Sequence, residues 1–225
     1  MSDGDLSAIL LTLQLAGATA IILVLLSTPL AWWLAHTGSR LRWVVEPVVA
    51  LPLVLPPTVL GFYLLILLGP AGALGGAWVA LTGDSLAFSF SGLLIASLVY
   101  SLPFAVQPLQ TAFQAVGTKH MEAAATLGAS PLDAFLTVAS PIALRGYLTA
   151  FVLTFAHTVG EFGVVLMVGG NIPERTRVIS IAIFEHVETL SYGEAHRLSL
   201  GLLVFSFLVL MAVTILHRRA PVRAG

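Results

Sequence analysis

Two residues with side chains suited to acid–base or metal chemistry, His157 and Glu161, lie one helical turn apart in an apolar stretch. Two ligands alone do not make a metal site, and the sequence lacks the His-Glu-x-x-His pattern of zinc peptidases. It also lacks the Gly-x-Ser-x-Gly pattern of a serine nucleophile and the Gly-x-x-x-x-Gly-Lys pattern of a phosphate-binding loop. We therefore predict that this chain holds no catalytic residue, metal site or bound cofactor.

Several hydroxyl groups and prolines also fall within apolar stretches. A buried hydroxyl needs a hydrogen-bonding partner, and a proline inside a helix removes one backbone donor and kinks the helix. Two interpretations stay open: these residues support helix packing, or some of them line a polar path or gate between helices. The candidates for such a path are Pro56, Pro57, Thr58, Ser97, Ser101, Thr154 and Thr158.

The composition is that of a membrane protein. Of the 225 residues, 58% are hydrophobic and 9% are charged, and the mean hydropathy is +0.99, whereas soluble domains carry about 25% charged residues. The net charge of −1 gives no sign of a nucleic-acid partner, and the lack of cysteine excludes disulfides and thiolate metal sites within the chain. The sequence therefore predicts an all-α integral membrane protein in contact with lipid.

Five stretches are apolar enough, and long enough, to cross a membrane as helices, for which about 20 residues suffice. Because cytoplasmic loops are rich in Lys and Arg, an N-terminus outside the cell is favoured: it puts seven of the ten basic residues in the cytoplasm. The C-terminus, with a basic tail at 217–225, is then cytoplasmic. The stretch 178–189 is short and charged, which predicts an outer-surface or re-entrant helix. The predicted spans are 6–34, 47–68, 90–107, 142–168 and 198–216.

The loop between the third and fourth spans, residues 118–141, is the most informative polar segment of the chain. Its run 122–127 consists mainly of strong helix formers, and Gly128 suits the left-handed position just past a helix end. Ser130 can cap a second helix that has Pro131 at its first position. The polar segment therefore predicts two short helices joined by a glycine turn, a shape that can fit a groove on a soluble partner.

The polar segment resembles the EAA loop in the membrane subunits of binding-protein-dependent importers. That loop reads Glu-Ala-Ala, three residues, Gly, nine residues and Ile-x-Leu-Pro; the spacings match here, with Val138 in place of Ile and Ser140 in place of Leu. The resemblance implies the transmembrane fold of type I ABC importers over residues 6–216, a homodimer, and two cytoplasmic subunits that bind this loop and hydrolyse Mg-ATP. The loop residues that it implicates are Glu122, Ala123, Ala124, Leu127, Gly128, Ala129, Pro131, Val138 and Pro141.

A second resemblance concerns the substrate. The Gly-Glu-Phe-Gly run at 160–163, Gly-Asn-Ile-Pro at 170–173 and Leu-Pro-Leu-Val-Leu-Pro-Pro at 51–57 are similar to permeases for tetrahedral oxyanions, above all the molybdate group. They imply that molybdate or tungstate, delivered by an oxyanion-binding protein outside, is imported across the cytoplasmic (inner) membrane. Sulfate or thiosulfate is the alternative substrate. An intramembrane enzyme or a non-transporting scaffold is a more distant alternative.

This substrate class bears on the role of Glu161. A carboxylate repels an anion, by about 1 kcal/mol per unit charge at 4 Å even in water. We therefore expect a path without carboxylates, and a structural role for Glu161 and His157. Glu161 would pair with His157, Arg175 or Arg177.

Overall fold

The computed structural model describes residues 3–218, and the regular structure in this part of the chain is helical throughout. The all-α prediction is confirmed. Residues 219–225, most of the predicted basic tail, lie outside the described part. The helices are α1 (Asp3–His36), α2 (Arg42–Val54), α3 (Pro57–Leu68), α4 (Ala73–Thr82), α5 (Phe90–Thr126), α6 (Pro131–Ala134), a π-helical turn (Phe135–Ala139), α7 (Ser140–Ile142), α8 (Leu144–Val159), α9 (Gly163–Gly169), α10 (Ile179–Glu188) and α11 (Tyr192–Arg218).

Three of these helices, α1, α5 and α11, are individually long and apolar enough to cross a membrane. Two further spans arise if each bent pair counts as one: α2 with α3, bent by 111°, and the segment Pro131–Ile142 with α8, bent by 69°. Counted in this way, the described residues hold up to five spans. The first bend follows from proline, because Pro57 disfavours helical backbone at the preceding residue, and Pro56 accordingly has ψ 134°. Pro57 itself begins α3 at a position whose missing N–H needs no partner.

Two predicted span boundaries differ from the structure. Helix α5 continues to Thr126, well beyond the predicted end at 107, so its final part belongs to the polar segment. The predicted span 142–168 consists of α8 and α9, separated by the non-helical residues 160–162. The predicted spans 47–68 and 142–168, referred to below as the broken spans, therefore each contain backbone that leaves the helical path in the middle of an apolar stretch, between α2 and α3 and between α8 and α9.

The core is formed by α1, α5 and α8. Small side chains such as Ala20, Ala105 and Ala150 are fully buried, which lets the helix backbones approach closely. Near the C-terminal end of α1, the ring of Trp32 packs edge-on against Phe113 of α5 and against Phe135, with centroid distances of 5.2 and 4.9 Å. Because Phe135 opens the π-helical turn, this aromatic cluster attaches the polar segment to the core.

Helices α3 and α9 form a second, close pair. A Cβ atom added to Gly61 would lie 2.7 Å from the Cβ of Met167, and one added to Gly163 would lie 2.7 Å from the Cβ of Pro57. No side chain larger than hydrogen fits at either position without movement of its neighbour. The two glycines therefore place the break between α2 and α3 beside the break between α8 and α9.

Helix α10 is attached to the start of α1. The backbone N–H of Ile179 donates to Thr12 Oγ1 at 2.8 Å, and His186 Nε2 lies 2.8 Å from Asp5 Oδ1. The stretch 178–189 is thus a short helix on the N-terminal side of the bundle, which agrees with the prediction that it is not a further span.

Candidate functional site

The first candidate site is the polar segment, whose glycine turn has the predicted geometry. Gly128 has φ +87°, in the left-handed region. Its N–H donates to the carbonyl of Ala125 at 2.9 Å, and the N–H of Ala129 donates to the carbonyl of Ala124 at 3.1 Å. This is a Schellman motif, in which a left-handed residue satisfies the last carbonyls of a helix. The predicted helix end at Gly128 is confirmed.

The second helix of the polar segment also begins as predicted. Ser130 Oγ accepts a hydrogen bond from the N–H of Asp133 at 3.2 Å, and Pro131 occupies the first helical position. The helix then passes through the π-helical turn and ends at Ile142. Val138 is half-buried and Pro141 is exposed.

A second glycine, which sequence reasoning missed, lies at the other end of the first short helix. Gly117 has φ 69° and ψ 165°, a non-helical conformation between the membrane-spanning part of α5 and the helix of the polar segment. This region of backbone conformation is essentially restricted to glycine. The signal in the sequence was slight, because one glycine in a helical pattern does not by itself indicate a break.

The polar segment exposes several large apolar side chains beside its polar ones. Leu127, Leu132 and Leu136 are 89%, 67% and 57% exposed. Ala124, by contrast, is buried against the rest of the chain. An exposed apolar patch rimmed by polar residues is typical of a protein interaction surface. The polar segment is therefore attached on one side and open on the other.

The second candidate site is a cavity of about 590 Å³ where the two broken spans meet, referred to below as the break cavity. It opens between α3, α5 and the non-helical residues 160–162. Its wall is largely apolar, with a few polar groups. The lining residues are Pro57, Thr58, Tyr100, Ala156, His157, Gly160, Glu161, Phe162, Gly163, Leu166 and Met167.

Glu161 lies in the wall of the break cavity but is only 4% exposed. Ser97 Oγ of α5 donates to Glu161 Oε2 at 2.9 Å, and Ser180 Oγ of α10 donates to the Glu161 carbonyl. The prediction that Glu161 pairs with His157, Arg175 or Arg177 is wrong. Arg177 instead pairs with Glu185 at 3.1 Å, because the loop after α9 turns it away from the break.

His157 is held by α5 and not by Glu161. Its Nδ1 lies 3.0 Å from Ser101 Oγ, and its ring stacks on Phe104 with a centroid distance of 4.0 Å. Tyr100 packs against the same ring at 4.8 Å. The imidazole is therefore fixed on three sides while it lines the break cavity.

The remaining candidates for a path fall into two groups. Pro57 and Thr58 line the break cavity, whereas Pro56, the exposed residue just before α3, is not among its lining residues. Ser97, Ser101, Thr154 and Thr158 are buried between helices. Ser97 bonds to the non-helical Glu161, Ser101 bonds to Thr158 of α8, and Thr158 also bonds along its own helix. Thr154 Oγ1 has no partner among the described residues. Within residues 3–218, no three His, Cys, Asp or Glu side chains cluster as a metal site would require.

The chain matches a family of membrane transport proteins. A family model, described as the binding-protein-dependent transport system inner membrane component, matches residues 27–220. The chain belongs to this family. The polar segment that resembles the EAA loop lies inside the matched region.

The names of similar proteins are more specific about the transported substance than the family description is. The chain is 57% identical to the molybdenum transport system permease protein ModB of Azotobacter vinelandii over 95% of this chain and 94% of the relative. It is 33% identical to the ModB protein of Escherichia coli K12 over 100% and 99%. A probable sulfate transport permease, cysT of a Helicosporidium species, is 32% identical over 94% and 78%.

Solved structures of low sequence identity share the fold. A bacterial ABC transporter involved in the import of the polysaccharide alginate superimposes with a TM-score of 0.77 at 19% identity, over 98% of this chain and 82% of that chain. The same type of transporter in complex with a pentasaccharide-bound periplasmic protein gives 0.76 at 17% identity, over 97% and 80%. The prediction of an ABC importer permease fold is confirmed.

Proposed function

We propose that this chain is the permease subunit of an ABC importer that moves molybdate or tungstate across the cytoplasmic membrane. The observation that carries the proposal is the identity of 57% to a molybdenum permease along nearly the whole length of both chains. The sulfate permeases match at lower identity and over a smaller share of their own length. Molybdate is therefore favoured over sulfate as the substrate.

The energy for transport enters through the polar segment. The chain lacks a phosphate-binding loop, so ATP is hydrolysed in partner subunits. The segment offers them a Schellman turn at Gly128 and an exposed apolar edge that starts at Leu127. Glu122 is exposed on the first short helix, where its charge can pair with a basic residue of the ATPase. Movement of the ATPase subunits is then transmitted through Phe135 to α1 and α5.

The complete transporter contains two copies of this chain. Five spans are too few to enclose a path, so a homodimer with the path between the copies is expected, with one ATPase subunit on each polar segment. The N-terminus lies outside and the C-terminus in the cytoplasm. On the outer side, Arg175 makes no ion pair within the described residues and is available to an acidic rim of the oxyanion-binding protein.

The test is uptake of radiolabelled molybdate into proteoliposomes that contain the permease, its ATPase and its binding protein. Uptake should require ATP, and excess tungstate should compete strongly while excess sulfate competes weakly. Stronger competition by sulfate than by tungstate would identify a sulfate permease. Absence of ATP-driven uptake of either anion, with the complex assembled, would remove the proposed function altogether.

A further inference from the structure

The break cavity contains the features of an anion site that the family resemblance does not specify. It lies where the predicted spans 47–68 and 142–168 lose their helical path, and irregular backbone at membrane depth is tolerated where it is packed in protein or lines a polar cavity. Three side chains with polar groups line it besides Glu161: Thr58, Tyr100 and His157. Of these, only His157 can carry a positive charge.

The protons in the contacts behind His157 can be assigned by counting. Thr158 Oγ1 donates to the carbonyl of Thr154 at 3.0 Å and thereby uses its only proton. The 3.0 Å contact between Ser101 Oγ and Thr158 Oγ1 then takes its proton from Ser101. The remaining 3.0 Å contact, from Ser101 Oγ to His157 Nδ1, holds a proton only if Nδ1 carries it. One arrangement, with Nδ1 protonated, satisfies all three contacts.

This assignment determines what the ring offers to the cavity. No hydrogen bond among the described residues engages His157 Nε2. In a neutral ring protonated at Nδ1, Nε2 presents a lone pair, which repels an anion. In the imidazolium, both nitrogens donate, and Nε2 becomes a charged donor available to an oxyanion while Nδ1 keeps its bond to Ser101.

We propose that the break cavity is a transient binding site for the oxyanion and that His157 contacts the anion through Nε2 as an imidazolium. The proposal rests on the function proposed above and adds a substrate contact to it. The proton enters with the anion, because the attraction between imidazolium and dianion offsets the cost of charging the ring. Among the described residues, the titratable groups that line the cavity with His157 are Tyr100 from α5 and Glu161 from the break. Neither supplies a positive charge, so His157 alone can balance the dianion there. The Glu161 carboxylate is kept from the anion by burial, because its Oε2 accepts from Ser97 and its Oε1 is buried in the protein.

The test uses the complete transporter in proteoliposomes and the initial rate of radiolabelled molybdate uptake. His157→Phe keeps an aromatic ring beside Phe104 but removes both nitrogens. Uptake should fall about tenfold or more, the size of one charge-assisted hydrogen bond. His157→Arg restores a permanent cation and should keep uptake within about threefold of the unmodified transporter, a difference smaller than one such bond. Co-purification of the ATPase shows that each variant is assembled.

A pH series separates this role from a structural one. Uptake by the unmodified transporter should weaken as pH rises between about pH 6 and pH 8, by at most about tenfold per pH unit, the limit for one proton taken up with each anion. His157→Arg should flatten this dependence, because arginine stays charged throughout. The pH profile and the arginine variant keep the proposal testable even if His157→Phe fails to assemble.

Ser101→Ala is the matched control for a purely structural role. It removes the same bond to Nδ1 but leaves the ring in the cavity wall. If His157 serves only to hold α8 against α5, Ser101→Ala should lower uptake as much as His157→Phe does. Uptake by His157→Arg should then also be lowered and not remain near that of the unmodified transporter. That result, or wild-type uptake by His157→Phe, would overturn the anion site. Continued molybdate uptake in the same experiment would leave the proposed permease function intact.

Discussion

Ser97 of α5 and Glu161 of the broken span are joined by a hydrogen bond of 2.9 Å although 64 residues separate them in the sequence. The carboxylate is nearly fully buried, and its second oxygen, Oε1, has no partner within the described part of the chain. Through the carbonyl of Glu161, which accepts from Ser180, the same residue also attaches α10. Glu161 therefore connects three elements at the break.

The first prediction concerns this connection. Ser97→Ala should destabilise the protein by about 1–3 kcal/mol, because it leaves a buried acceptor without a donor. Glu161→Gln should lower expression or stability more than it alters the selectivity between molybdate and sulfate. A double-mutant cycle of Ser97→Ala with Glu161→Ala, measured by thermal unfolding in detergent, should show non-additivity of about 1 kcal/mol. Additive effects, or changed selectivity with normal stability, would contradict the packing role of Glu161.

The second prediction concerns the glycine turn of the polar segment. A Cβ at Gly128 would meet no neighbour within 4 Å, so the cost of Gly128→Val is conformational: about 1–2 kcal/mol for a residue held at positive φ. The variant should reach the membrane but lose its ATPase on purification, or hydrolyse ATP without uptake. Gly128→Ala is the milder control. Normal ATPase binding and normal uptake by Gly128→Val would show that residues 122–137 are not the coupling element.

The third prediction concerns Gly117. Its backbone conformation excludes other residues, and alanine favours a continuous helix in its place. Gly117→Ala should therefore straighten α5 and turn the polar segment away from the ATPase, with uptake lost while the permease remains folded. Gly201→Ala in α11 is the matched control, since that glycine is helical and its Cβ would also meet nothing. Measurement of uptake per ATP hydrolysed should separate the two variants; equal values would contradict a positioning role for Gly117.

The fourth prediction concerns orientation. The chain has no cysteine, so single cysteines report their own position. Asp84→Cys, in the exposed loop before α5, should react with an impermeant thiol reagent in intact cells, and Leu127→Cys should react only after lysis. A cysteine at Ser2 is expected to react as Asp84→Cys does, and one at Gly225 as Leu127→Cys does. Both terminal positions lie outside the described residues. The reverse labelling pattern would reject an N-terminus outside the cell.

The sequence by itself determined the parts of this protein that depend on local chemistry. Apolar stretches of sufficient length predict the spans, because a single apolar segment satisfies all its own backbone hydrogen bonds in lipid only as a helix. The structure of the polar segment could also be predicted. The positive φ at Gly128 and the cap at Ser130 follow from residue types within a few positions of each other. The spacing from Glu122 to Pro141 was enough to indicate the family, and the family model matches the chain there.

Only the tertiary structure decided the contacts between distant residues. The sequence placed His157 and Glu161 one turn apart and suggested that they pair, but the helix ends at Val159, so the 3.6-residue period no longer relates their directions. Each instead meets a serine of α5, Ser101 and Ser97 respectively. The break cavity likewise depends on close approach of α3 and α9 at Gly61 and Gly163. Such an approach is a property of two packed surfaces, and neither stretch of sequence specifies it alone.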